Sequence, residues 1–146
     1  MTEAVVEIAR RWIGTPYRHQ ASCLGAGADC LGLIRGIWRE LHGSEPGGLP
    51  AYTEDWSEPS GDESLWRAAE RHLVSLPEPR AVRPGNVLLF RMRDHGVAKH
   101  FGIAAERDGA ASFIHAYGGH AVVESALTDP WARRIVARFR FPDEVT

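Results

Sequence analysis

The chain has 146 residues, 44% of them hydrophobic, a formal net charge of −2 at pH 7 and two cysteines. That length suits a single domain, residues 1–146, with a core of its own. A charge near zero provides no general attraction to nucleic acid or to an anionic membrane, and no apolar run spans a bilayer, so neither nucleic-acid binding nor membrane insertion is expected.

The first predicted element is a helix from Thr2 to Ile13, with Val5, Ile8 and Trp12 as its apolar stripe. Gly14, as a C-cap, and Pro16 end it. A Gly-rich loop, Ala21 to Ala28, leads into Gly27-Ala28-Asp29-Cys30-Leu31-Gly32-Leu33. Asp29 is a good N-cap, and a helical pattern runs through Leu31, Ile34, Trp38 and Leu41 to a Gly43 C-cap. Cys30 therefore falls in the first helical turn. Unpaired N–H groups and the positive end of the helix dipole there favour an anion. The thiolate is the nucleophilic form of cysteine, so Cys30 is expected to be a reactive thiol titrating below the ordinary range. Gly32, one turn in, implies close helix packing or an approach to the backbone beside Cys30.

From Gly43 to Pro59 the chain is rich in Gly, Pro and acids and reads as a loop. Its Tyr52-to-Trp56 stretch reads as a wall over a cleft or as a solvated loop. Ser60-Gly61-Asp62-Glu63 has capping-box spacing. The helix after it carries Leu65, Trp66, Ala69, Leu73 and Leu76 on one stripe and is closed by Pro77 and Pro79. From Pro84 the period shortens to that of strands. Five candidates follow: Asn86 to Arg91, His100 to Ala104, Phe113 to Tyr117, Ala121 to Ser125 and Ile135 to Phe141. Turn signals at Arg107-Asp108-Gly109 and Gly118-Gly119 favour antiparallel hairpins. Helices first and strands after make the class α+β.

Of seven histidines, His42 and His72 lie in or beside helices, and His19, His95 and His120 fall in loop-like stretches and read as solvated. His100 and His115 sit within strand patterns. His100 shares a face with Gly102 and Ala104, small residues that leave room for a helix N-terminus; His115 shares one with Phe113 and Tyr117. A cysteine nucleophile needs a base, and the base needs an orienting partner. Cys30, His100 and His115 fill those three roles. A disulfide between Cys23 and Cys30 would consume the thiol, and the paired short spacings of a structural zinc site are absent. Neither metal nor other cofactor is expected.

Four segments in order carry a resemblance: Trp12-Ile13-Gly14-Thr15-Pro16-Tyr17, Gly27 to Leu33, Arg83-Pro84-Gly85-Asn86-Val87-Leu88-Leu89-Phe90, and His100-Phe101-Gly102-Ile103. Together they resemble the serial motifs of the NlpC/P60 cysteine peptidases. The compact form, with His19-Gln20-Ala21-Ser22 after Pro16-Tyr17, resembles the branch encoded with phage tails and gene-transfer particles. The resemblance implies a papain-like α+β fold, with N-terminal helices and the Cys30 helix packed on an antiparallel sheet of about five strands. It implies a peptidoglycan hydrolase cutting stem peptides, commonly between D-γ-glutamate and a diamino acid. By motif, Cys30 is the nucleophile, His100 the general base and His115 the orienting residue. Tyr17 matches the tyrosine that borders the substrate and helps position its carbonyl, and the Cys30 N–H is an oxyanion donor. Leu31 replaces the family's frequent Ser after the cysteine, and Asn86 replaces its Asp, where it reads as a turn residue.

The implied partners are peptidoglycan stem peptides and the proteins of a phage tail or gene-transfer particle. Met1-Thr2-Glu3-Ala4 lacks the basic and apolar regions of a secretory signal, so the expected course is cytoplasmic synthesis, incorporation in a virion-like particle and action at the periplasmic wall during entry. Trp56 and Trp131 are the candidates for a particle-docking surface. Three alternatives stay open: a papain-like amidase or acyltransferase with another substrate, a tail assembly module with little catalysis, and a zinc or redox protein, against which the ligand spacing and the absence of Cys-x-x-Cys argue.

Overall fold

Asp29 and Gly43 set the limits of the central helix. In this computed structural model, which describes residues 2–46 and 61–143, Asp29 is extended and its carboxylate accepts from Gly32 N–H, while Gly43 is left-handed at φ 84°. Between them α2 runs from Cys30 to His42. Before it come α1 (Thr2–Arg11) and a two-stranded ribbon, β1 (Ser22–Cys23) with β2 (Gly27–Ala28). After it come α3 (Ser64–His72), β3 (Val74–Leu76), β4 (Val87–Arg91), β5 (Ala98–Arg107), β6 (Ala110–Ala116), β7 (Val122–Ala126), α4 (Asp129–Ala132) and β8 (Ile135–Arg140). The main sheet has six antiparallel strands in the order β3-β8-β4-β5-β6-β7.

The expected α+β class and antiparallel sheet are present, with one strand more than expected. Leu73 and Leu76, read as the end of a helical stripe, do not belong to α3. The helix stops at His72, and Val74–Leu76 pairs with Arg138–Arg140 at the sheet edge. Satisfying backbone groups along an edge strand outweighs one more turn of helical periodicity there. The helix start also differs: Glu63 holds the N-cap position without a side-chain cap bond, and Ser60 lies outside the described residues.

Two cores flank the sheet. On one face Val5 and Ile8 from α1, Trp12 just after it, and Leu33, Ile34, Ile37 and Trp38 from α2 bury against Phe101, Ile103 and Ile114. Gly36 makes that packing close, because a Cβ there would lie 2.1 Å from the Trp12 ring. On the other face Leu88, Phe90, Ala104, Phe113 and Ile135 form a smaller cluster, flanked by Trp131 of α4. This corrects the reading of the His100 face. Gly102 and Ala104 make room for aromatic rings, not for a helix: a Cβ at Gly102 would meet Phe113 at 2.9 Å. Helix α2 packs on the opposite face, through Phe101 and Ile103.

The position of the site follows from where the sheet divides. The β5–β6 ladder runs from Arg107↔Ala110 to Ile103↔Ile114. Beyond it, His100, Phe101 and Gly102 pair with β4, and Ala98 does so across an irregularity at Lys99, while His115 and Ala116 pair with β7. The first residue of α2 enters at this opening, its Sγ 3.7 Å from the Lys99 carbonyl.

Candidate active site

The loop before α2 is fastened to the helix start by Asp29. Its Oδ1 accepts from Gly32 N–H and its Oδ2 from Gln20 N–H, both at 2.7 Å. Ser22 Oγ donates to the Gly32 carbonyl at 2.6 Å. The Ala21 carbonyl lies so close that a Cβ on Gly32 would be 1.8 Å from its oxygen. The group that approaches the backbone beside Cys30 is therefore the chain's own loop. Cys30 itself is 7% exposed and carries a free thiol, which donates to the Lys99 carbonyl. Cys23 is also free, and exposed.

His100 and His115 meet on the aromatic face of the sheet. His100 Nε2 and His115 Nδ1 are 2.8 Å apart, and His115 Nε2 is 3.0 Å from Ser125 Oγ. His100 thus keeps Nδ1 as its second ring nitrogen. Phe90 and Phe113 underlie the pair, and Trp131 packs on both rings, 6.0 Å from His100 and 5.4 Å from His115 between centroids. Trp131, half-buried, thus forms a cover on the histidine pair. Trp56, with the rest of the Tyr52-to-Trp56 stretch, lies outside the described residues.

Burial governs the protonation states. It pushes the Cys30 thiol up to about 12, and the Asp29 charge adds to the rise. Backbone N–H groups of Phe101, Leu31 and Cys30 pull the other way and lose. The expected low-titrating thiol is therefore corrected: the helix N-terminus acts in the anticipated direction, but desolvation of the buried sulfur outweighs it. Burial likewise lowers His100 to about 3, helped by His115, and His115 to about 4, helped by His120. Burial thus favours the uncharged thiol and the uncharged imidazoles, with Cys30 and His100 lining one cleft.

A cleft of about 250 Å3 opens on Cys30 and His100, with Tyr17, His19, Lys99 and Tyr117 among its walls. Tyr17 is thus beside Cys30 and His100, held by backbone bridges to Ala28 and His120. His19, read as solvated, belongs to the cleft wall instead, its Nδ1 3.8 Å from Asp29 Oδ2. The strong N-cap draws this loop back onto the helix start. His120 stacks on Tyr117 at 5.3 Å. Ser125 and the covering role of Trp131 escaped the sequence reading. The register supplies the missing signal for Ser125: it lies opposite Phe113, on the face that also carries His115. Among the described residues, no three His, Cys, Asp or Glu side chains are placed to hold a metal ion.

A cysteine at a helix N-terminus beside a histidine on an antiparallel sheet defines a papain-like arrangement. The fold is that of NlpC/P60 domains. The chain superposes on the NlpC/p60 domain of the peptidoglycan hydrolase SagA with a TM-score of 0.65 and 20% identity, covering 97% of this chain and 99% of that one. An NlpC/P60 family protein from Bacillus cereus ATCC 10987 gives 0.64 and 17%, over 97% of this chain and 40% of its own. NlpC2 from Trichomonas vaginalis gives 0.62 and 18%, over 96% and 46%. In sequence, the chain is 29% identical over 138 residues to the gamma-DL-glutamyl hydrolase of Bacillus subtilis (strain 168). That alignment covers 94% of this chain and 29% of the relative, so the chain spans about three-tenths of the relative's length. No protein-family profile matches the chain.

Proposed function

We propose that this protein is a cysteine peptidase of the NlpC/P60 type that hydrolyses peptidoglycan stem peptides at the bond between D-γ-glutamate and a diamino acid. The observation that carries the reading is the cleft at the sheet opening that Cys30 and His100 line together, with His100 bonded to His115 at 2.8 Å behind it. Such a histidine pair, buried among aromatic rings, adds little stability over apolar packing, which points to a use other than structural. The substrate class is supported by the similar proteins, one a peptidoglycan hydrolase and one a gamma-DL-glutamyl hydrolase.

The chemistry follows from the neutral resting pair. As Sγ attacks the γ-glutamyl carbonyl, its proton passes to His100 Nδ1 and the S–C bond forms. The developing oxyanion is met by the Cys30 N–H, and Tyr17 on the cleft wall borders the carbonyl. His100 then gives its proton to the leaving amine as the C–N bond breaks, leaving a thioester. Water attacks the thioester, losing its proton to His100, and that proton returns to Sγ as the glutamate carboxyl is released. Throughout, His115 accepts from His100 Nε2–H and holds the ring in position.

The likeness of the motif sequence to the phage-tail branch supports a protein that rides on a tail-like particle and opens the wall locally during entry. Purified particles should then contain it, and particles carrying Cys30→Ala should assemble normally but deliver their contents poorly. Failure of those particles to assemble would make the main role structural. For the enzyme itself, purified sacculi digested with the protein should release fragments whose masses show a new γ-glutamyl carboxyl terminus and a free diamino-acid amine. Fragments cut elsewhere, or none, would refute the assignment.

A further inference from the structure

The histidine pair does not end at His115. Its Nε2 lies 3.0 Å from Ser125 Oγ on the adjacent strand β7, a contact beyond the three residues assigned above. His115 is buried, and its ring packs against Phe113 at 4.1 Å, Trp131 at 5.4 Å and Tyr117 at 5.6 Å. Rings cannot satisfy an imidazole N–H as an oxygen can, so the hydroxyl is the acceptor that the structure provides for Nε2.

The direction of the proton chain matters. When His100 carries a proton on both nitrogens, its Nε2–H must donate to His115 Nδ1. His115 then bears its own proton on Nε2 and must donate onward. The opposite tautomer, with Nδ1–H on His115, would set two donors against each other across 2.8 Å. We propose that Ser125 is a positioning residue whose hydroxyl oxygen accepts from His115 Nε2–H, holding His115 in the tautomer that receives the His100 proton. The proposal rests on His100 being the base. It adds a fourth member to the chain, one that acts through His115 and touches no reacting atom. No net bond is made or broken at Ser125; the hydrogen bond strengthens as charge appears on His100 and relaxes when the leaving amine takes the proton.

The test uses the full chain in three forms: wild type, Ser125→Ala and Ser125→Thr. Turnover is read on a synthetic γ-D-glutamyl-diaminopimelate peptide. Alkylation of Cys30 by iodoacetamide, read by peptide mass, needs no natural substrate. Nitrogen-15 spectra of the imidazoles report the tautomer directly. Ser125→Ala should lower kcat and the alkylation rate by roughly tenfold, the size of one neutral hydrogen bond, with KM within about twofold. Its spectrum should show His115 losing the single Nε2–H tautomer, and Ser125→Thr should restore both rates and the spectrum. The proposal is overturned if Ser125→Ala keeps wild-type rates, if the spectrum is unchanged, or if Ser125→Thr is as slow as Ser125→Ala. Should the wild type fail to cut the peptide, the substrate reading falls, while alkylation and the spectra still decide the role of Ser125.

Discussion

At the residue scale, a cysteine at a helix N-terminus is not by itself an activated thiol. Cys30 has the N–H groups and the dipole in its favour, but its sulfur is buried and Asp29 holds a negative charge next to it. With the thiol near 12 and the histidines near 3 and 4, neither partner changes charge between about pH 5 and pH 8. The pH profile of kcat/KM should be flat over that span, with no limb near the ordinary histidine value. A clear acidic limb at about 6.5 would show that the base titrates freely and would contradict the buried neutral pair. In alkylation, His100→Ala should slow Cys30. His115→Ala should cost less turnover than His100→Ala, because it removes orientation while leaving the group that carries the proton. Equal losses would make His115 more than an orienting residue. Cys30 and the two strand histidines were legible in sequence because each sits at a readable point of a periodic element. Ser125 was not, since a strand serine has many ordinary uses and only the register puts it beside His115.

At the element scale, α2 read most clearly, because its cap, stripe and C-cap glycine all agree. Helix α3 read one turn too long, since Leu73 and Leu76 fit the helical period and only the tertiary partner β8 assigns Val74–Leu76 to the sheet. The short elements β1, β2 and α4 carry too few residues to show a period, and α4 is the one that brings Trp131 onto the histidines. Gly32 is where the helix and its preceding loop interlock. Propensity alone would make Gly32→Ala stabilising by about 1 kcal/mol. Contact with the Ala21 carbonyl, a backbone atom that cannot turn aside, should reverse the sign. The expected outcome is a net loss of about 1–3 kcal/mol, seen as a lowered urea midpoint, together with lost activity as the Cys30 turn shifts. A raised midpoint would mean that the loop moves without cost and that the close approach does not fix the site.

At the scale of the whole molecule, the site is bound to stability through its histidines. His100 and His115 titrate near 3 and 4 in the folded chain and at their ordinary value of about 6.5 when unfolded. As pH falls below about 6.5 the unfolded chain takes up protons that the folded chain refuses. Stability is therefore complete above about 6.5 and is lost as pH falls toward 4, by up to about 1.4 kcal/mol per pH unit for each histidine. His72, also lowered by burial, adds in the same direction. Glu45 and Glu124, held below the ordinary carboxylate range by Arg35, Arg39 and Arg10, come into play only at lower pH. Tm should decline steadily from pH 6.5 to pH 5, and the double variant His100→Gln, His115→Gln should flatten most of that slope. A Tm independent of pH across that interval would show that the pair is solvated.

The α+β class and the antiparallel sheet followed from the order of periods along the chain, whereas the opening between β5 and β6 that admits Cys30 is a property of strand pairing and has no local signal. The most direct measurement is turnover of a defined muramyl tetrapeptide by wild type and by Cys30→Ala at equal concentration, with products identified by mass. Wild type should split it into a γ-glutamyl fragment and a diaminopimelyl dipeptide, and Cys30→Ala should leave it intact. Cleavage by Cys30→Ala at the wild-type rate, or wild-type products from a different bond, would contradict the assignment of this site.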